Sequence, residues 1–128
     1  MLKKYKKGLR TQISKNFWST EFDCSCKYPE CQWTLISSDH IKNLQELRDR
    51  IGPLDINSAY RCDKHNKAVG GTTNSRHKEG DATDIVSKKL TPDQVATAAE
   101  NFDGLGRYST FTHIDSRGTK ARWDFRKK

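Results

Sequence analysis

The sequence predicts a single α+β domain, a small antiparallel sheet with flanking helices, on three observations. One stretch from Ser38 to Ile51 carries apolar residues at helical spacing, and several short runs alternate apolar with polar residues. These pieces follow one another irregularly and end in hairpin-like segments, unlike the regular strand-helix repeats that build a parallel sheet. A length of 128 residues leaves room for one core, and with 33% hydrophobic and 31% charged residues that core is expected to be thin.

The first fifteen residues hold six basic and no acidic side chains, which reads as a solvated, frayed basic tail preceding a domain at 16–128. Residues 16–36 mix aromatics, Cys, Pro and acidic residues without a clean period, so an irregular wrap is expected, with a short strand at Gln32–Leu35. Ile41, Leu44, Leu47 and Ile51 then define a helix, with Ser37 or Ser38 as its N-cap and Gly52-Pro53 as its stop. The alternation in LDINSAYR places a half-buried strand from Leu54 toward Arg61. A helical turn around His65–Val69 is expected to end at Gly70-Gly71, and residues 81–86 (DATDIV) read as a strand. Thr91-Pro92-Asp93-Gln94 is a capping box with Pro at the first helical position, opening a helix that buries Val95, Ala98 and Phe102. Gly104 and Gly106 are expected in turns before strands at 107–109 and 111–114, and 121–125 suits an edge strand.

Twenty-four Lys and Arg against sixteen Asp and Glu give a formal charge of +8, which favours polyanionic partners; nucleic acid and phosphate-bearing envelope polymers both qualify. Nucleic acid is disfavoured, because the cysteines lack finger spacing and no aromatic-basic stripe is present. No apolar run approaches the ~20 residues of a membrane helix, and the opening MLKKYKKGLR lacks the apolar segment of a secretory signal. The expectation is a monomer made in the cytoplasm, which reaches extracellular material only once the membrane is opened. Cys24, Cys26, Cys31 and Cys62 admit three readings: a second metal site, a disulfide pair, or free thiols. The C-x-C-x4-C spacing is not the usual knuckle.

Chemistry concentrates in residues 75–84, SRHKEGDATD, and in Phe111-Thr112-His113-Ile114-Asp115. Imidazole and carboxylate are the ligands of a hydrolytic zinc that keeps one coordination position open. His77 and Asp84 stand seven apart with Gly80 and Ala82 between them, which suits a loop turning into a strand.

The frame S-x-H-x-x-G-x-A-x-D follows Ser58-Ala59-Tyr60-Arg61-Cys62 and Asn66-x-x-Val69-Gly70-Gly71. With Asn16-Phe17, Glu21-Phe22, Gly104-x-Gly106-Arg107-Tyr108 and Ala121-Arg122-Trp123, it resembles the small zinc D-alanyl-D-alanine carboxypeptidases and related phage cell-wall endopeptidases across nearly the whole chain. The resemblance implies the fold shared with the hedgehog signalling domain and one catalytic zinc on His77, Asp84 and His113. It also implies that Arg61 binds a substrate carbonyl or carboxylate, a task that suits its permanently charged fork. Two His and a carboxylate would accept other first-row ions as well. The substrate implied is a peptidoglycan peptide, cut by a D,D-carboxypeptidase or an endopeptidase, as in a phage or prophage lysis enzyme. The alternative is a non-catalytic zinc module that binds wall fragments or protein.

One departure concerns the general base. Related enzymes place Glu or Asp three residues before the last His ligand, where this chain has Thr110. Asp115, on the same strand face as His113, ranks first as the base, ahead of Glu79 and Asp103. Ser75 is expected to brace the loop before His77, and Arg61, Ser75 and Tyr108 form the expected substrate-facing set. Tyr60 and Trp123 are further candidates for a peptide cleft. His65 is read as a polar turn residue rather than a ligand, and His40 as solvent-facing in the first turn of the long helix.

Overall fold

The computed structural model describes residues 1–127. Its centre is a five-stranded sheet made of β5 (Leu54–Ser58), β6 (Ala82–Ser87), β7 (Gly104–Arg107), β8 (Thr112–Asp115) and β9 (Ala121–Asp124), in the order β5-β6-β8-β7-β9. All neighbours run antiparallel except β7 and β9, so the sheet is mixed rather than wholly antiparallel. Two antiparallel ribbons lie outside it: β1 (Leu2–Lys6) with β4 (Trp33–Ser37), and β2 (Gln12–Ser14) with β3 (Phe17–Trp18). No helix among the described residues is long and apolar enough to cross a membrane.

Helix α1 spans Ser38–Ile51, as its apolar spacing predicts. The Ser37 hydroxyl caps it by accepting the His40 amide, a cap worth about 1 kcal/mol, and Gly52 ends it. Its inner face buries Ile41, Leu44 and Leu47 with Ile85, Leu105 and Ile114 of the sheet. Complete burial of such side chains contributes about 1.5–3 kcal/mol each, so this helix-on-sheet layer anchors the domain. The shorter helices are α2 (Asp63–Ala68) and α3 (Pro92–Ala98), and α3 carries the expected Thr91/Gln94 capping box.

Three further expectations are corrected. The basic amino-terminal stretch is not a frayed tail: Leu2–Lys6 is paired along its length with β4, and Tyr5 packs against the core. Its lysines and Leu2 stay in solvent while the backbone is paired, and Tyr5 alone turns inward. Gly104 and Gly106 lie inside β7, not in turns before it. There the missing side chains make room for the Asp115 carboxylate and the Trp123 indole, respectively. His40 is not solvent-facing but 1% exposed. It lies four residues before Leu44 and seven before Leu47, on the buried stripe of α1.

Candidate metal centre

The sheet register brings the ligands together. Asp84 on β6 is paired directly with His113 on β8, and His113 with Gly106 on β7, which in turn pairs with Trp123 on β9. One row across the sheet therefore reads Asp84, His113, Gly106, Trp123. Because Gly106 has no side chain, the indole reaches over it to the His113 ring, with centroids 4.9 Å apart. His77 enters from a 3-10 turn, Arg76–Glu79, where its own amide donates to the Ser75 hydroxyl at 3.3 Å. Gly80 ends that turn at φ +75, a left-handed conformation that side-chain-bearing residues rarely adopt, and sends the chain into β6.

Ligand atoms of His77, Asp84 and His113 lie within 4.8 Å of one another, and all three residues are buried. His77 Nε2 is 3.3 Å and His113 Nδ1 2.9 Å from Asp84 Oδ1. The outward nitrogens are committed elsewhere: His77 Nδ1 donates to the Ala59 carbonyl at 2.7 Å, and His113 Nε2 donates to Asp115 Oδ2 at 2.8 Å. In a neutral imidazole only one nitrogen carries hydrogen, so both rings turn lone pairs toward the Asp84 carboxylate. Lone pairs and an anionic oxygen converging on one point require a cation between them. Burial opposes protonation of His113, but the Asp115 and Asp84 carboxylates on its two nitrogens outweigh it and raise its pKa. Burial likewise works against an ionised Asp84, and the two imidazoles overcome it, holding the carboxyl below its usual range. Two imidazole nitrogens and one carboxylate with fixed tautomers fit zinc in a site that leaves a position for a reactant.

The centre opens into a cleft of ≈ 530 Å³. Arg61, Ser75 and Tyr108 all line it. Arg61 is tethered through its backbone amide to the His77 carbonyl at 3.1 Å, and its guanidinium reaches Asn66 Oδ1 at 3.4 Å and Asp84 Oδ2 at 3.8 Å. Buried Asn66 is itself fixed by donating to the Thr72 carbonyl at 2.8 Å, and Gly71 leaves the space its side chain occupies. The Asn66-x-x-Val69-Gly70-Gly71 element thus serves to aim an arginine. Tyr108 Oη accepts the Trp123 Nε1 hydrogen at 3.0 Å, leaving its own hydrogen to donate. Trp123 lines the cleft too, whereas Tyr60 does not.

Asp115 does not occupy a base position. It is 0% exposed, its carboxylate lies on the far side of the His113 ring, and Arg117 grips it through Nε at 2.9 Å and Nη2 at 2.7 Å. Its place is that of a carboxylate orienting a ligand imidazole. Glu79 is exposed and outside the cleft, and Asp103, also outside it, accepts the Gly118 amide at 2.8 Å. Among the described residues, Asp84 is the only carboxylate lining the cleft. Arg117 was missed from the sequence; it lines the cleft two residues past the end of β8, beyond the reach of the strand period, and turns back onto Asp115. Arg76, also missed, lines the cleft and is paired with Asp81.

The four cysteines form a second cluster, Sγ atoms within 4.8 Å of one another, with no disulfide between them. His65 belongs to neither group; its Nε2 meets the Ser25 hydroxyl at 3.0 Å.

No curated protein matches the chain. A model of the family described as Peptidase M15 matches residues 15–115, a span that contains the cysteine cluster, Arg61 and all three ligands of the centre. The matched span takes in most of the chain, and the ligand geometry supplies the metal site its zinc chemistry needs: the chain belongs to the peptidase M15 family and is a zinc-dependent peptidase.

Proposed function

We propose that this peptidase hydrolyses a peptide bond in peptidoglycan stem peptides or cross-links, as a D,D-carboxypeptidase or an endopeptidase, and that it acts in phage or prophage lysis of the wall. The observation that carries the reading is the pairing of one available arginine with an aromatic wall around the metal centre. Three arginines line the cleft: Arg76 and Arg117 are hydrogen-bonded directly to Asp81 and Asp115, whereas Arg61 stands 3.8 Å from Asp84 Oδ2 and has its guanidinium the least committed to a protein carboxylate, so it is the one to meet substrate charge. In the same cleft, Tyr108 stacks on Phe111 with centroids 4.3 Å apart and packs beside Phe125, giving an apolar face. A ligand with a carboxylate and small apolar side chains suits that pairing, and alanine-rich stem peptides have both.

His77, Asp84 and His113 would hold the zinc, which when bound polarises the scissile carbonyl and acidifies water. Arg61 provides a fixed cation for a terminal carboxylate or for charge developing on the carbonyl oxygen. Tyr108 donates a hydrogen bond from the aromatic wall, and Ser75 keeps the His77 turn in place. The formal charge of +8, with Lys4 and Lys6 flanking exposed Trp33 on the outer ribbon, matches an anionic wall surface.

The test is mass spectrometry of peptidoglycan fragments before and after incubation with the zinc-loaded chain. The expected result is a zinc-dependent loss of a terminal D-alanine or splitting of a stem or cross-link. Unchanged fragments from a preparation with one zinc bound at this centre would overturn the peptidoglycan assignment. Arg61→Ala is expected to lower kcat/KM by about 10²-fold or more without loss of zinc.

A further inference from the structure

The cysteine cluster is unused by the peptidase chemistry. Cys24, Cys26 and Cys31 project from residues 23–32, which form no helix or strand beyond isolated turns, and Cys62 caps α2 directly after Arg61. Only Cys24 is fully buried, so burial of small apolar side chains does not account for the gathering of all four. The Cys62 sulfur lies 3.8 Å from that of Cys24 and 3.9 Å from that of Cys26. Four sulfurs at the corners of a tetrahedron around zinc, with Zn–S near 2.3 Å, stand about 3.8 Å apart. A disulfide would need about 2.0 Å.

Hydrogen-bond donors and one cation face the sulfurs. The Cys62 amide donates to Cys24 Sγ at 3.5 Å and the His65 amide to Cys62 Sγ at 3.4 Å. Lys7 at the end of the first ribbon sets its ammonium 3.4 Å from Cys26 Sγ and 3.7 Å from Cys31 Sγ, offsetting negative charge. The C-x-C-x4-C spacing is no obstacle, because the fourth corner comes from a distant segment and the loop is irregular.

We propose that Cys24, Cys26, Cys31 and Cys62 bind a second zinc ion as a closed tetrathiolate, a structural site that clips the 23–32 loop and Lys7 to the base of α2 beside Arg61. The four sulfurs fill the coordination sphere, so this ion takes no part in hydrolysis. Binding displaces the thiol protons to solvent and changes no oxidation state.

The full chain, purified under reducing conditions, is expected to hold close to two equivalents of zinc, and His77→Ala/Asp84→Ala close to one. With cobalt in place of zinc, that double variant should show strong sulfur-to-cobalt charge-transfer absorption, and a mercurial reagent should release its single metal as the thiols react. Cys26→Ser/Cys31→Ser should retain only the peptidase-site ion. A His77→Ala/Asp84→Ala protein that is folded and metal-free, or an intact mass showing two hydrogens lost per cysteine pair, overturns the proposal. Because the decisive variant keeps every cysteine and is read by metal content, the result is independent of whether peptidoglycan is the substrate.

Discussion

The two ligand clusters are built on opposite kinds of scaffold. His113 and Asp84 sit on adjacent central strands in direct register, and a web of hydrogen bonds from Ala59, Asp115 and Arg117 fixes both imidazoles. The cysteines instead sit on an irregular loop and a helix cap, tied to the rest by contacts near the surface, among them Ser25 with His65, Glu30 with Lys64, Asp23 with the Gly8 amide, and the Lys7 ammonium. A site on paired strands keeps its shape because the sheet supplies the ordering, whereas a loop of ten residues must be ordered by whatever binds it. The peptidase centre should therefore survive loss of its ion as a folded site, and the cysteine loop should not.

The largest effect is expected from Asp84→Ala. Removing the carboxylate shared by both imidazoles should lower activity by ~10³-fold or more, since a Lewis-acid metal supplies several kcal/mol of transition-state stabilisation. Circular dichroism and the melting transition should stay close to wild type, because β6 keeps its backbone pairing on both sides. A variant that loses its sheet would show that the strand site depends on the metal for folding, and the contrast with the loop would fail.

Asp115→Asn sharpens the contrast by weakening the support behind a ligand. Loss of such an orienting carboxylate typically costs 10–100-fold in metal affinity, so activity should fall in step with zinc occupancy and return when zinc is raised. Activity abolished at full zinc occupancy would restore Asp115 to the role of base. Burial works against its ionisation, but Arg117 and His113 overcome that and hold the carboxyl below its usual range, which leaves it a poor proton acceptor.

What could be read from the sequence follows from which forces are local. Helix α1 was legible because Ile41, Leu44 and Leu47 repeat at its own period, and the cap at Ser37 and stop at Gly52 are local chemistry. The triad was legible through a family frame; the spacing of His77 and Asp84 alone carried little, because convergence depends on the β6–β8 register, a long-range property. Period-two alternation correctly put Asp115 on the face of His113, but nothing local showed that Arg117 would seize it or that Gly104 would make room for it. The amino-terminal strand was missed for a related reason: its partner lies some thirty residues away, and of its five residues Tyr5 alone packs inward, so the segment carries no local strand period.

The smallest effect concerns the wedge behind the strand site. His40 is buried between Thr83 and Ser116, its Nε2 3.0 Å from one hydroxyl and its Nδ1 2.8 Å from the other, so it braces the neighbours of both Asp84 and Asp115. Burial, only partly offset by the Asp115 charge, pulls its pKa from 6.5 to about 3. The native state thus keeps His40 neutral where the unfolded chain would protonate it. Stability from this residue is complete above the unfolded value, and it is lost as pH falls toward the folded one. Lowering the pH from 7 to 5.5 should cost about 1 kcal/mol through His40. Urea unfolding at the two pH values checks it: His40→Gln should be less stable at pH 7 but lose about 1 kcal/mol less than wild type on acidification. An equal loss in both would mean that His40 is not held neutral, and that the strand site lacks the rigid backing that sets it apart from the cysteine loop.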